Sequence, residues 1–368
     1  MFEFDPLNFF LDFTIGILFL VTLGWALKNF PKREEPDPSE KQKRIKLFDV
    51  LKGIGIIAVI LIHVNSPIPY FFLGSAVPIF ILCSGYLLMK RYAYLFSYKK
   101  YFLNIFFRII VPYFLIVVLL RILSSFPIDP INVFLDMVLG QMPYIHDSPS
   151  NYFIPLIIYM YLIFPFFLNF KRFFLNQKVL IAVFIFSLIS CFVSDFFESH
   201  LYTTSIAYSL ILTLPFRYLF FFLFGAYLSE YNFDSVAKRK KSVLVSAILL
   251  FILIGTSVFI YLSYKYAFFL FPPLILLLFL TSYRFGGIIT DFLSEFGRHI
   301  LTIYLIHWAV YALLRNNLPF IGGPLAFLVY ALPVLLISYL FSVVFMRIYC
   351  PIKTAIRPIV DKFVRVDK

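Results

Sequence analysis

Three residues interrupt the apolar run FDVLKGIGIIAVILIHV at 48–64: Asp49, Lys52 and His63. Lys52 and His63 are eleven positions apart, so a helix turns through ~1100° and rises ~16 Å between them. They therefore share one face to within ~20°. Asp49 lies one turn before Lys52 on the same stripe, where its charge can help hold the ammonium. Ionisable groups on one face of a membrane helix are costly unless they line a wet or protein-filled cavity, which makes them functional candidates. An imidazole there can work as a general base or as a nucleophile. The bland alternative sends Lys52 and His63 to opposite membrane interfaces by snorkelling. Gly53, Gly55 and Ala58, which suit close packing against other helices, tip the reading towards function.

Other polar residues interrupt later apolar runs. Arg217 follows Pro215 in LTLPFRYLFFFLFGAYL. An arginine deep in a span is expensive, and its planar fork suits a phosphate or a carboxylate; the alternative is a pairing with a carbonyl or an acid of another helix. Arg108 in FFRIIVPYF reads, on charge alone, as a topology signal at a helix start. His307 in TIYLIHWAVY has Tyr304 one turn before it and Tyr311 one turn after. That stripe either lines a pore or belongs, with Trp308, to an interfacial aromatic belt. His299 reads as interfacial, and Ser84-Gly85 as a helix-packing contact or a substrate contact. Cys83, Cys191 and Cys350 are far apart in apolar surroundings, without the spacing of a metal site or a disulfide framework, and read as packing residues. No Walker loop, GxGxxG, GxSxG or HExxH motif occurs.

The elements that must position these residues are membrane helices. Hydrophobic residues make up 62% of the 368 and charged residues only 14%, against ~25% charged in soluble domains. The apolar runs are long and repeated, and the alternation of a barrel strand is absent. The pattern predicts an all-α polytopic bundle of eleven spans, near 8–27, 48–66, 71–89, 105–123, 152–170, 179–195, 206–229, 242–263, 267–282, 298–314 and 324–347. The leader MFEFDP carries acids and no base, so the first run reads as a retained helix and not as a signal peptide.

The net charge is +13, and its distribution speaks for topology and against nucleic acid. Most of the 32 Lys and Arg fall in alternate loops, among them Lys41, Lys43, Arg44, Lys90, Arg91, Lys99, Lys171, Arg172 and the run at 238–241. The positive-inside rule then places the N-terminus outside and the C-terminus in the cytoplasm of a multi-pass cell-membrane protein. Residues 1–27 read as an accessory helix, 28–47 as a charged cytoplasmic linker, 48–347 as a ten-helix core and 348–368 as a basic cytoplasmic tail. The loop at 124–151 is long enough for a lid or an interfacial helix, or is a simple connector.

With these residues in view, the chain resembles the membrane acyltransferase 3 family over roughly residues 45–347. FDVLKGIGIIAVILIH is similar to the family's opening helix, with Lys52 at its Arg/Lys position and His63 at its histidine. VPIFILCSGYLLMKR at 77–91 resembles the second core helix with its Ser-Gly, and RIIVPY at 108–113 the arginine-containing start of the third. NYFIPLIIYMYLIFP at 151–165, RYLFFFLFG at 217–225 and FGRHILTIYLIH at 296–307 resemble later patches, in the family's order. There are departures: Tyr152 stands where a Trp is usual, the third helix has one Arg where many members have two, and an extra helix precedes the core.

The resemblance implies transfer of an acyl group, usually acetyl, to sugars, lipids or surface polysaccharides. The expected donor is cytoplasmic acyl-CoA, a substrate and not a permanently bound cofactor, and the expected acceptor is a hydroxyl of a glycan or lipid-linked sugar. Lys52, Arg108 and Arg217 are the candidates for the donor's negative charges. The ~16 Å between Lys52 and His63 is comparable to the length of the donor's acyl-pantetheine arm, which puts the thioester near His63. His63, assisted by Lys52, is the expected catalytic residue, as general base or transient acyl carrier. Asp49, Ser84, Tyr304 and His307 are the candidates for acceptor contacts, and no metal site is expected. The rival reading is a transporter or flippase of a lipid-linked sugar or polysaccharide. The absence of an inverted repeat, and of an acidic coupling residue deep in a helix, weighs against it.

Overall fold

In an apolar solvent a backbone can satisfy its polar groups only internally, and long apolar runs therefore fold as helices. The computed structural model describes residues 46–64, 76–94, 96–123, 153–200, 206–231, 287–318, 325 and 327–363. Among these residues every element is helical: α1 (Lys46–His63), α2 (Ala76–Tyr92), α3 (98–123), α4 (Phe153–Asn169), the one-turn α5 (Lys171–Phe174), α6 (Gln177–His200), α7 (Ile206–Leu228), α8 (Ile288–Arg298), α9 (Ile300–Asn317) and α10 (Leu332–Phe363). Two are long and apolar enough to cross a membrane, over Tyr98–Leu120 and Val329–Val360. The expected spans at 8–27, 242–263 and 267–282, most of the linker at 28–47 and the loop at 124–151 lie outside the described residues.

The helices group into two compact units, with α1 and α4 contributing to both. In the first unit, α1 meets α8 and α2 meets α7 at glycines. A methyl group at Gly53 would overlap the Leu293 carbonyl of α8, and one at Gly297 would overlap the Asp49 carbonyl of α1. Likewise Gly85 of α2 lies against the Phe222 carbonyl, and Gly225 of α7 against the Leu82 carbonyl. These are backbone-to-backbone approaches that no other residue permits. An exposed ion pair between Lys46 and Asp291 also joins α1 to α8, but such pairs contribute only about 0–1 kcal/mol. The glycine contacts hold these crossings. Aromatic rings fill the space around them: Phe48 lies 4.3 Å from Tyr86, and Phe222 packs on both Phe164 and Phe167.

The second unit is built from α3, α9, α10, the start of α4 and the end of α1. α3 is continuous from 98 to 123 but passes through a π turn at Phe106–Ile110. Arg108 therefore sits inside a helix, not at the start of one. The Tyr101 hydroxyl donates to the Tyr161 carbonyl of α4 at 2.6 Å, and the Tyr349 hydroxyl of α10 donates to the Phe107 carbonyl. α10 follows a second π turn, Phe327–Ala331, and extends 32 residues, well past the end of the expected last span at 347. Leu336, Leu340, Val344, Ile348, Ile352 and Ile356 recur every fourth residue along it, all exposed. The part of this stripe before Arg347 fits contact with lipid.

Candidate active site

His63 ends α1 in the second unit and meets two residues of α9. Its ring centre lies 5.2 Å from that of His307 and 4.8 Å from that of Trp308, the latter edge-on. α9 places both residues there because positions 307 and 308 follow a face already turned inward: Tyr304 and Tyr311, one turn to either side, are buried as well. Phe153 of α4 packs on Tyr304 at 4.8 Å and walls that side.

The protonation pattern of His307 follows from its partner. His307 Nδ1 lies 2.5 Å from the Tyr304 carbonyl oxygen, which can only accept, so Nδ1 carries the hydrogen and donates it. In the neutral ring Nε2 is then a lone-pair acceptor. Among the described residues it is buried without a protein partner, and so is the indole N–H of Trp308. A buried polar atom left unsatisfied costs about 1–3 kcal/mol, a cost removed when a ligand supplies the missing partner. One acceptor and one donor thus stand open beside the His63 imidazole. The sequence pattern singled out His307 and left open whether it lines a pore or belongs, with Trp308, to an interfacial belt. No local signal distinguishes an inward indole from an interfacial one.

The remaining candidates fall elsewhere. Asp49 and Lys52 are buried in the first unit, so Lys52 does not snorkel, and both lie near enough to Cys83 of α2 to act on its charge. Ser84 is buried next to the glycine at which α2 crosses α7. Arg217 is half-buried on α7, immediately after Pro215. There Ser187 of α6 inserts into the α7 ladder, its hydroxyl donating to the Phe216 carbonyl at 2.8 Å and accepting from the Phe220 N–H at 3.2 Å. A proline followed by an inserted hydroxyl is a recognised cause of a local bend, and it sets the backbone that carries Arg217. Arg108 is exposed on the π turn of α3. His299, expected at an interface, pairs its Nδ1 with the Ser342 hydroxyl at 2.9 Å. Cys83 is a packing residue as expected, whereas Cys350 is exposed.

The model of an acyltransferase domain, that of the membrane acyltransferase 3 family, matches residues 45–347. The chain belongs to this family. No curated protein and no solved structure gives a significant match. The matched region begins just before α1 and ends inside α10, so it contains every candidate residue named above. Family membership supports an acyltransferase activity, and members of the acyltransferase 3 family are in general integral to membranes. The glycines of the family-like patches at 77–91, 217–225 and 296–307 are the glycines of the α2–α7 and α1–α8 crossings.

Proposed function

We propose that the protein moves an acyl group, most simply acetyl, from acyl-CoA to a hydroxyl of a glycan, surface polysaccharide or lipid-linked sugar. The observation that carries this reading is the His63 imidazole packed beside an open acceptor, His307 Nε2, and an open donor, the Trp308 N–H. In the reaction His63 takes the proton of the acceptor hydroxyl as its oxygen attacks the thioester carbonyl carbon. The C–S bond breaks, and the departing thiolate takes that proton from the imidazolium. The Trp308 N–H meets the carbonyl oxygen as it gains negative charge, and His307 Nε2 orients the attacking hydroxyl.

A variant of this path has the His63 nitrogen attack first and hold the acyl group as an acyl-imidazole until the hydroxyl displaces it. The two differ in a simple measurement. Without acceptor, rapid acid-quench should find no acyl group on the protein if His63 is a base, and up to one per chain if it is a carrier.

Lys52, Arg108 and Arg217 are assigned to the donor's anionic groups, and Asp49, Ser84, Tyr304 and His307 to the acceptor. The chain is read as eleven spans in the cell membrane with its C-terminus in the cytoplasm, where acyl-CoA is found. The test is dependence on acyl-CoA by purified, reconstituted protein given a crude extract of glycans and lipids. Thiol release matched by label entering the extract is the expected result. No thiol release, with a lipid-linked sugar crossing the vesicle wall instead, would favour the transport reading.

A further inference from the structure

The last part of α10 lies beyond the family match, which ends at residue 347, and it carries a cationic face that no candidate site accounts for. Tyr349, Lys353 and Arg357 are spaced four apart and turn towards the protein, while Ile348, Ile352, Ile356 and Ile359 face outward. Two hydrogen bonds fix what this face meets. The Tyr349 hydroxyl donates to the Phe107 carbonyl, and Arg357 Nη2 donates to Asn104 Oδ1 at 2.9 Å. Lys353, midway between them, is thereby held over the 104–107 segment of α3, one residue from Arg108. Arg108 and Arg357 both lie close enough to Lys353 for their charges to act on it. Residues 98–123 and 332–360 contain no Asp or Glu, and the first acid on α10 is Asp361, one turn past Arg357.

Helix length gives the depth of this cluster. Thirty-two residues span ~48 Å against ~30 Å of hydrocarbon, so about a dozen residues of α10 lie outside the apolar layer. The stretch after Arg347 holds Lys353, Arg357 and Lys362 among its isoleucines and supplies them. Three cations held together at headgroup depth attract doubly charged oxyanions, and a guanidinium beside an ammonium suits phosphate.

We infer that Arg108, Lys353 and Arg357 form a phosphate-binding site, completed by a helix segment outside the matched domain. Its phosphate is that of a soluble nucleotide, such as the donor's adenosine end, or that of an anionic lipid headgroup. The inference rests on the acyl-transfer reading only for the choice of nucleotide probe.

The test uses the full chain in phosphatidylcholine nanodiscs, titrated with adenosine 3′,5′-bisphosphate, and in parallel the retention of phosphatidylglycerol measured by native mass spectrometry. Lys353→Gln/Arg357→Gln should weaken one of the two by about tenfold or more, and Lys353→Arg should retain it. Loss of nucleotide binding identifies a nucleotide phosphate; loss of phosphatidylglycerol alone identifies the lipid. Both binding within about twofold of wild type would overturn the site. Should the double variant fail to fold, Lys353→Gln alone decides by the same criterion. Acyl transfer is not read out, so the result stands apart from the fate of the acyltransferase reading.

Discussion

At the scale of residues, the proposed chemistry turns on which nitrogen of His307 carries the hydrogen. The Tyr304 carbonyl fixes the proton on Nδ1 and turns Nε2 into an acceptor 3 residues along the same helix. Trp308 adds a donor beside it, and His63 supplies the titratable ring. Trp308→Phe keeps the aromatic packing and removes only the N–H, so it should slow acyl transfer by about a hundredfold with little change in donor affinity. His307→Phe, which removes the acceptor, should weaken the response to acceptor concentration in steady-state kinetics. Equal and wild-type rates for both variants would take α9 out of the reaction. His63 and His307 were visible in the sequence because each interrupts an apolar run at a definite register. The open indole of Trp308 was not, because an inward and an interfacial tryptophan have the same local sequence.

At the scale of elements, the glycines decide which helices can meet. Gly85 and Gly225 bring α2 and α7 to backbone contact, and Gly53 and Gly297 do the same for α1 and α8. Side chains at these points clash with main-chain carbonyls, which cannot rotate away. Gly85→Leu should therefore destabilise the protein by about 1–3 kcal/mol or more and lower its thermal midpoint in detergent. An unchanged midpoint would mean that the crossing is not close. The helices of the family-like patches were legible as apolar runs, but their ends were less so. α8 is too short and too polar to register as a span, and Pro351 and Pro358 signal a helix end where α10 continues. The proline rule fails there because an exposed helix can bend at a proline and go on when the rest of the helix is anchored. Tyr349 and Arg357 are the anchors.

At the scale of the whole molecule, the proposed reaction joins a membrane bundle to a cytoplasmic donor. The expected orientation rests on the alternation of basic loops and was read from charge alone. A cysteine introduced as Lys362→Cys should react with a membrane-impermeant maleimide in inverted vesicles and not in intact cells; the opposite pattern would reverse the topology and with it the source of the donor. The class of the protein was the easiest property to read, since the apolar composition is the kind that membrane helices need and the ordered patches single out the family. The meeting of His63 with α9 was not legible, because it depends on how helices far apart in sequence pack. The central claim is that His63 does the chemistry. Its most direct test is transfer of labelled acetyl from acetyl-CoA into a glycan and lipid extract by reconstituted wild-type and His63→Ala protein. Label is expected in the extract with the wild type and none above background with the folded variant. Equal transfer by both would contradict it.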